Sequence, residues 1–186
     1  MFCTYKDFSK VIYKLKGKNF CIDNLTCSIS NESIISKSFR IKHKTDPCYM
    51  MKSIKNKIEI KHTKDAHFKD GLALTKFIFW IKNINQKKIT EIDAKNKLEK
   101  FRRLNKDYLY PSFDTIAGTG SNGAIIHYRV NKKSNKVIKK NDIFLCDSGG
   151  QYNYGTTDVT RTICFSEQKK SIKNAFTNVL KGHIAV

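Results

Sequence analysis

Proline and long apolar runs are both scarce in this chain. Two of its 186 residues are proline and 40% are hydrophobic, so the composition excludes collagen-like, linker-like and wholly disordered proteins. No apolar run approaches the roughly 18 residues that a membrane-spanning helix requires. The N-terminus also lacks a basic segment followed by an apolar stretch and a small-residue cleavage site. We therefore expect a soluble, cytoplasmic protein with no membrane partner.

Acidic residues are scarce as well, since 16 Asp and Glu residues against 36 Lys and Arg residues leave a formal net charge of +20. Such an excess is typical of nucleic-acid binders. Arginine, which phosphate and base recognition favour, nevertheless occurs at five positions only, and the lysines are spread through every segment. Lys, Asn and Ile share A/T-rich codons, so a nucleotide bias accounts for the excess. We expect no specific nucleic-acid partner, although such a charge would attract RNA non-specifically at low salt.

The six cysteines form neither CxxC pairs nor the Cys/His spacing of a zinc site. Cys146 and Cys164 lie in apolar runs, where a free thiol packs as a small hydrophobe. We therefore expect reduced, structural thiols, as is usual in a cytosolic protein.

A break at Asp46-Pro47 divides the chain, because proline disfavours helical geometry in the residue before it. We predict that residues 1–48 are the remnant of a small α/β domain, with a helix from Phe8 and a strand from Asn19. Residues 49–186 form the second domain. Its helices precede its strands without strict βαβ alternation, which predicts the α+β class.

Within the second domain, residues 49–82 have helical spacing, with one i, i+4 line formed by Met50, Ile54, Ile58 and His62. The segment Thr90–Asp93 resembles a capping box that opens the next helix. The basic residues at 100–103 suit the negative C-terminal end of that helix. A final helix follows four predicted strands, at 113–116, 124–130, 143–146 and 159–165.

The chemistry concentrates in residues 143–162, IFLCDSGGQYNYGTTDVTRT. If one hairpin centres between residues 152 and 153, Asp147 and Asp158 face each other with Cβ atoms about 5 Å apart. At that separation the two carboxylates repel by roughly 3 kcal/mol at an effective dielectric of about 20, so a positive group is expected between them. Arg161 would bridge them as a structural ion pair, or they would share a proton as a carboxylate dyad. A divalent cation fits best, because carboxylate-rich sites suit manganese and similar hard metals.

The glycine-rich segment GTGSNG, residues 118–123, leads into an apolar stretch that contains His127. The segment lacks the lysine of a phosphate loop and the context of a dinucleotide site, so its match to a nucleotide site is weak. His127 is either a satisfied core residue or, beside a hydrolytic metal site, a proton shuttle or substrate clamp.

Two strings carry a family resemblance. PSFDTIAGTGSNGAIIHY, followed by LCDSGGQYNYGTTDVTRT, resembles the Xaa-Pro aminopeptidases (aminopeptidase P) of the creatinase/methionine-aminopeptidase or pita-bread fold. The resemblance extends from about Asp46 onward, and residues 1–45 resemble more faintly the end of the preceding domain. It implies the first half of a pita-bread catalytic domain preceded by the tail of a small α/β domain.

The resemblance also implies a site and a reaction. Asp147 and Asp158 match the first two metal-binding carboxylates of the family, and His127 matches the histidine that contacts substrate and assists proton transfer. The reaction is hydrolysis, by a metal-activated water and two divalent metals, usually Mn²⁺, of the bond between an N-terminal residue and a following proline. The substrates are peptides with proline in the second position.

A later histidine and two later glutamates of the family site have no counterpart here. We therefore expect a fragment, truncated at both ends and inactive alone. Other arrangements stay open: half of a split enzyme completed by a C-terminal chain, a homo-oligomer, or a non-catalytic pita-bread module that binds RNA. Prolidase and creatinase share the fold, and the string GTTDVTRT favours aminopeptidase P over them.

Overall fold

The computed structural model describes residues 4–83 and 88–186, and the chain divides into two compact units, Met1–Asn56 and Lys57–Val186. The boundary predicted between residues 48 and 49 lies earlier in the chain, within a helix that spans Pro47–Ser53. The assignment of the two segments to domains stays a prediction. Among the described residues, no helix combines the length and the apolar character needed to cross a membrane.

The first unit is a small α/β structure. Its elements are the 3-10 turn Tyr5–Asp7, α1 (Phe8–Lys14), β1 (Asn19–Ile22), α2 (Ile29–Ser36), β2 (Arg40–His43) and α3 (Pro47–Ser53). β1 and β2 pair in parallel, which the crossover through α2 permits. Ile12, Ile22, Ile35 and Phe39 form the buried core. The helix predicted from Phe8 and the strand predicted from Asn19 are both confirmed.

Over its described residues, 57–83 and 88–186, the second unit combines three helices with two antiparallel sheets, in the orders β4–β5–β8 and β3–β6–β7. Its elements are α4 (Lys57–Lys82), α5 (Glu91–Arg102), β3 (Tyr108–Pro111), β4 (Ile116–Thr119), the 3-10 segment Gly120–Ala124, β5 (Ile143–Ser148), β6 (Gly150–Tyr152), β7 (Gly155–Thr156), β8 (Val159–Cys164) and α6 (Lys170–Ala185). The helices and the antiparallel strands occupy separate parts of the sequence, which confirms the α+β class.

The core of the second unit lies between α4, α5 and one face of the β4–β5–β8 sheet. Phe77 on α4, Leu98 on α5 and Phe144 on β5 are each at most 1% exposed. Full burial of such a side chain contributes roughly 1.5–3 kcal/mol to the free energy of unfolding. α5 begins as predicted, because the Thr90 hydroxyl accepts the backbone N–H of Asp93 while the Asp93 carboxylate accepts that of Thr90.

The continuous helix predicted over residues 49–82 is wrong, because α3 ends at Ser53, Ile54 has extended backbone angles and α4 begins at Lys57. Met50, Ile54 and Ile58 are 62%, 75% and 66% exposed. The buried stripe of α4 begins later and packs against α5 and both sheets of the second unit; its members are Ala66, Asp70, Ala73, Leu74, Phe77 and Ile81.

The strand predicted at 124–130 does not form. Residues 120–124 make a 3-10 turn, and the chain then folds back so that Tyr128 is buried while Ile125 and Ile126 are exposed. The tyrosine hydroxyl bonds to buried polar groups, and these bonds outweigh the strand preference of the isoleucines.

A buried ion pair connects the helices to the sheets. Arg102 Nε and Nη2 donate to the two oxygens of Asp70 at 2.6 and 3.0 Å, and Arg102 Nη2 also donates to Ser148 Oγ at 3.0 Å. The Tyr152 hydroxyl donates to Asp70 Oδ1 at 2.9 Å. Desolvation alone would lower the pKa of Arg102, but the bonds to Asp70 outweigh it and raise that pKa. The predicted interaction with the helix dipole therefore does not account for the presence of Arg102 at the end of α5. Its side chain points into the core and bonds to Asp70.

Replacing Arg102 tests the ion pair. Arg102→Met should lower the free energy of unfolding by about 3–5 kcal/mol, because it leaves the Asp70 carboxylate buried without its charge partner. Urea denaturation followed by circular dichroism measures the change. Arg103→Met is the matched control, since the Arg103 side chain is 63% exposed in its ion pair with Glu99 and should cost at most about 1 kcal/mol. Equal costs for the two variants would contradict the role given to the buried pair.

Candidate active site

Asp147 lies near the end of β5, on the face of the sheet opposite the helical core. Burial alternates along β5, where Phe144, Cys146 and Ser148 are buried and the residues between them are less so. The Thr160 hydroxyl on β8 donates to Asp147 Oδ1 at 2.8 Å. The strand therefore points Ser148 towards Arg102 in the core and Asp147 towards the opposite face.

The register of the two strands differs from the prediction. Asp147 pairs with Thr160, not with Asp158, and Tyr152 pairs with Gly155, so the hairpin centres one residue later than predicted. A single hairpin was assumed, but the chain changes sheets: β5 and β8 pair in one sheet, while β6 and β7 pair beside β3 in the other. Asp158 thus lies outside the strands, just before β8.

The hydrogen bonds of the buried neighbour Thr157 fix the position of Asp158. The Thr157 backbone N–H donates to the carbonyl of Gly150, and the Gly150 N–H donates to Thr157 Oγ1, both at 2.9 Å. The Ser112 hydroxyl donates to the Thr157 carbonyl at 2.9 Å. A Cβ on Gly149 would overlap both the Thr157 carbonyl oxygen and Ser112 Oγ, so only glycine permits this close approach.

His127 lies in the turn that replaces the predicted strand. Its φ of 53° is in the left-handed region, which residues other than glycine occupy infrequently. The turn is closed by the N–H of Ile125, which donates to the carbonyl of Asn122, and by the N–H of Tyr128, which donates to that of Ile125. The imidazole is exposed, so the reading of His127 as a satisfied core residue is not supported.

One cavity of about 410 Å³ brings the three predicted residues together: His127, Asp147 and Asp158 all line it. Its remaining lining residues are Phe113, Asp114, Ile116 and Arg129. Three carboxylates, those of Asp114, Asp147 and Asp158, therefore line the cavity together with apolar and basic side chains.

Arg161 does not bridge the two aspartates. It pairs with Cys146 across the β5–β8 ladder, so it points away from Asp147, and its Nη1 donates to the carbonyl of Thr160 at 2.7 Å. Among residues 4–83 and 88–186, no Lys, Arg or His side chain lies within ion-pair distance of Asp147 or Asp158.

The donor chemistry of the cavity suits a hard divalent cation, because Asp147 and Asp158 offer carboxylate oxygens that no cationic side chain of the described residues pairs with. The neighbouring thiol is unsuited to such a role: burial raises the pKa of Cys146 to about 11, so the sulfur keeps its proton. In the described part of the chain, no group of three or more His, Cys, Asp or Glu side chains is placed to hold a metal ion. The residues present fit part of a metal site.

Comparison with known proteins assigns the family. The profile named Metallopeptidase family M24 matches residues 61–186, well over half of the chain. The chain belongs to this family. Together with the relatives described next, this match confirms the resemblance to Xaa-Pro aminopeptidases of the pita-bread fold that the two strings carry.

Curated M24 relatives carry the name Xaa-Pro aminopeptidase. A probable Xaa-Pro aminopeptidase P from Podospora anserina is 47% identical over 138 residues, which are 73% of this chain and 20% of that protein. Xaa-Pro aminopeptidase ApepP from Drosophila melanogaster is 41% identical over 181 residues, 96% of this chain and 29% of that protein. The chain thus spans about a fifth to three tenths of the length of these relatives.

Solved M24 structures share the fold. An X-prolyl aminopeptidase from Caenorhabditis elegans, described as a cytosolic enzyme with a di-nuclear active site, has a TM-score of 0.67 at 33% identity and covers 75% of this chain, 23% of its own. A prolidase from Pyrococcus furiosus has a TM-score of 0.77 at 24% identity, with coverage of 97% and 51%, and bears on the fold alone. The prediction of part of a pita-bread catalytic domain is confirmed.

Replacing Gly149 tests how the site is assembled. Gly149→Ala should push the Thr157–Asp158 backbone away from Ser112 and lower the free energy of unfolding by about 1–3 kcal/mol, because the added methyl group has no space. Gly182→Ala is the control, since a Cβ there meets nothing within 4 Å, and alanine in a helix should stabilise by roughly 0.5–1 kcal/mol. Urea denaturation measures both. A Gly149→Ala variant as stable as the parent would contradict the close approach.

Proposed function

We propose that this chain carries the first half of the catalytic domain of a metal-dependent Xaa-Pro aminopeptidase. The proposed reaction is hydrolysis of the bond between an N-terminal residue and a following proline. The observation that carries the proposal is the cavity that His127, Asp147 and Asp158 line together. The names of the curated relatives support peptides with proline in second position as the substrates.

Asp147 and Asp158 are the proposed metal ligands, and Mn²⁺ is the proposed ion. Carboxylate oxygens match the preference of manganese, and the di-nuclear site described for the Caenorhabditis elegans relative supports two ions. The Thr160 hydroxyl donates to one oxygen of Asp147, which restrains the carboxylate in the cavity wall. When bound, two divalent ions supply Lewis acidity and an activated water.

His127 is proposed to contact substrate and to move a proton. A neutral imidazole has one nitrogen that donates a hydrogen bond and one that accepts. His127 is therefore able to donate to a substrate carbonyl or to pass a proton towards the leaving nitrogen of proline. Phe113 and Ile116 line the same cavity and offer apolar contact of the kind that a proline ring requires.

The remaining ligands, a histidine and two glutamates in the resemblance, are proposed to come from polypeptide outside these 186 residues. Two carboxylates without them would hold a di-nuclear centre poorly, so the chain alone is proposed to be inactive. A homo-oligomer would repeat the same partial set of ligands. A complementing C-terminal polypeptide is therefore the favoured partner.

Aminopeptidase P is favoured over prolidase, because the string GTTDVTRT and the names of the curated relatives agree, whereas the prolidase likeness concerns the fold alone. A cytoplasmic location is proposed as well. It is supported by the cytosolic Caenorhabditis elegans relative.

Metal binding by the aspartates can be measured directly. The chain should bind Mn²⁺ weakly, and Asp147→Asn or Asp158→Asn should weaken that binding by at least about tenfold, because each removes a charged ligand. Electron paramagnetic resonance of free Mn²⁺ gives the affinity. Asp114→Asn is the matched control: its side chain lines the same cavity but pairs with Lys95 at 3.4 Å, so the affinity should stay within about twofold. Unchanged affinity in both ligand variants would contradict their assignment.

Turnover tests completion of the site. The purified chain with Mn²⁺ should not hydrolyse a short peptide with proline in second position, because the ligand set is incomplete. Adding the part of the Drosophila relative that follows its region of similarity should restore turnover, detected as release of the N-terminal residue. Robust turnover by the chain alone would contradict its proposed inactivity, and no turnover in the mixture would contradict completion by a separate polypeptide.

A further inference from the structure

Glu91 is a buried carboxylate that the proposed mechanism does not use. It begins α5 and is 0% exposed. Oε1 accepts the backbone N–H of Thr119 at 2.7 Å, and both oxygens accept Asn122 Nδ2 at 3.0 Å. Oε2 also accepts the Tyr128 hydroxyl at 2.9 Å and the backbone N–H of Lys136 at 3.1 Å. Four residues from a single segment of the chain thus donate to one side chain.

The charge of Glu91 has no cationic partner in the described residues. The nearest basic residue in its network, Lys136, directs Nζ to the hydroxyl of Ser121 instead. Burying an unpaired carboxylate is costly unless hydrogen bonds satisfy it, and bonds to an ionised acceptor are stronger than neutral ones. The position of Glu91 in the first turn of α5 favours the anion further. The donors and the carboxylate therefore hold each other in place.

The segment that donates hydrogen bonds to Glu91, residues 119–136, contains His127. Asn122 lies five residues before His127 and Tyr128 directly after it, so Glu91 binds the chain on both sides of the turn. The left-handed φ of 53° at His127 costs on the order of 1 kcal/mol or more in a residue other than glycine, so the surrounding structure must enforce it. The bonds from Asn122 and Tyr128 to Glu91 fix the chain on both sides of that residue.

We propose that Glu91 is a positioning residue for His127: its buried carboxylate holds residues 119–136 so that the imidazole faces the cavity lined by Asp147 and Asp158. The catalytic meaning of this position rests on the function proposed for His127. The positioning itself is a property of the chain and can be measured without substrate or metal.

The test uses the whole chain, labelled with carbon-13 at histidine Cε1. The five histidines give separate signals by nuclear magnetic resonance, and His127→Gln identifies the signal of His127. Donors lie at both oxygens of Glu91, so in Glu91→Gln the NH2 group would face a donor whichever way the amide is turned. We therefore expect the His127 signal to shift or broaden, while the signals of His62 and His67 stay in place. Hydrogen-exchange protection of residues 119–136 should fall by about tenfold or more, with β5 unchanged.

Two further variants serve as a control and as an alternative to Glu91→Gln. Glu99→Gln makes the same change on the same helix, where the carboxylate accepts the Tyr108 hydroxyl, and it should leave the His127 signal unmoved. Tyr128→Phe removes one donor to Glu91, keeps the ring, and should move the His127 signal by less than Glu91→Gln does. If Glu91→Gln fails to fold, Tyr128→Phe decides alone.

An unmoved His127 signal in folded Glu91→Gln would overturn the proposal, as would an equal shift in Glu99→Gln. An unmoved signal in Tyr128→Phe would do so where that variant decides. Failure of the complemented enzyme to turn over substrate would remove the function proposed for His127 and leave this result standing. Where turnover is restored, Glu91→Gln should lower kcat more than it changes KM, because the imidazole is misplaced relative to bound substrate.

Discussion

The Asp70–Arg102 ion pair is the interaction on which the second unit depends. Its two members come from different helices, and its hydrogen bonds extend to Ser148 at the end of β5 and Tyr152 on β6. Both charges are at most 2% exposed, so neither can be satisfied by solvent if the other moves. The pair thus ties two helices and two sheets to one geometry, and it does so one residue away from Asp147.

Two adjacent residues of β5 contact the core and the cavity. Ser148 bonds inward to Arg102, while Asp147 faces the cavity on the other side of the sheet. Immediately afterwards the chain leaves this sheet through Gly149 and joins the other. Because the crossing needs a residue without a side chain, backbone packing at Gly149 sets the approach of Asp158 to the cavity against the repulsion between the two carboxylates.

The fold class, the capping box and the three cavity residues were predictable because each rests on local residue types or on a long, specific string. The register was not, since counting from one hairpin centre cannot reveal that the chain changes sheets at Gly149. Asp70 had a readable signal, a carboxylate on the buried stripe of α4, but its partner Arg102 looked like an ordinary cation at a helix end. Glu91 was hidden inside the capping-box motif, whose other members account for the helix start.

Two requirements conflict at residue 127: a left-handed backbone, which favours glycine, and an imidazole side chain in the cavity wall. Glycine would adopt this left-handed conformation at the lowest cost. Histidine is among the residues enriched in that region, but it still carries a cost that glycine does not. Glycine has no imidazole. Substitutions of His127 that are chosen only for stability would therefore remove the imidazole from the cavity. A more stable turn would lose the side chain to which proton transfer is assigned.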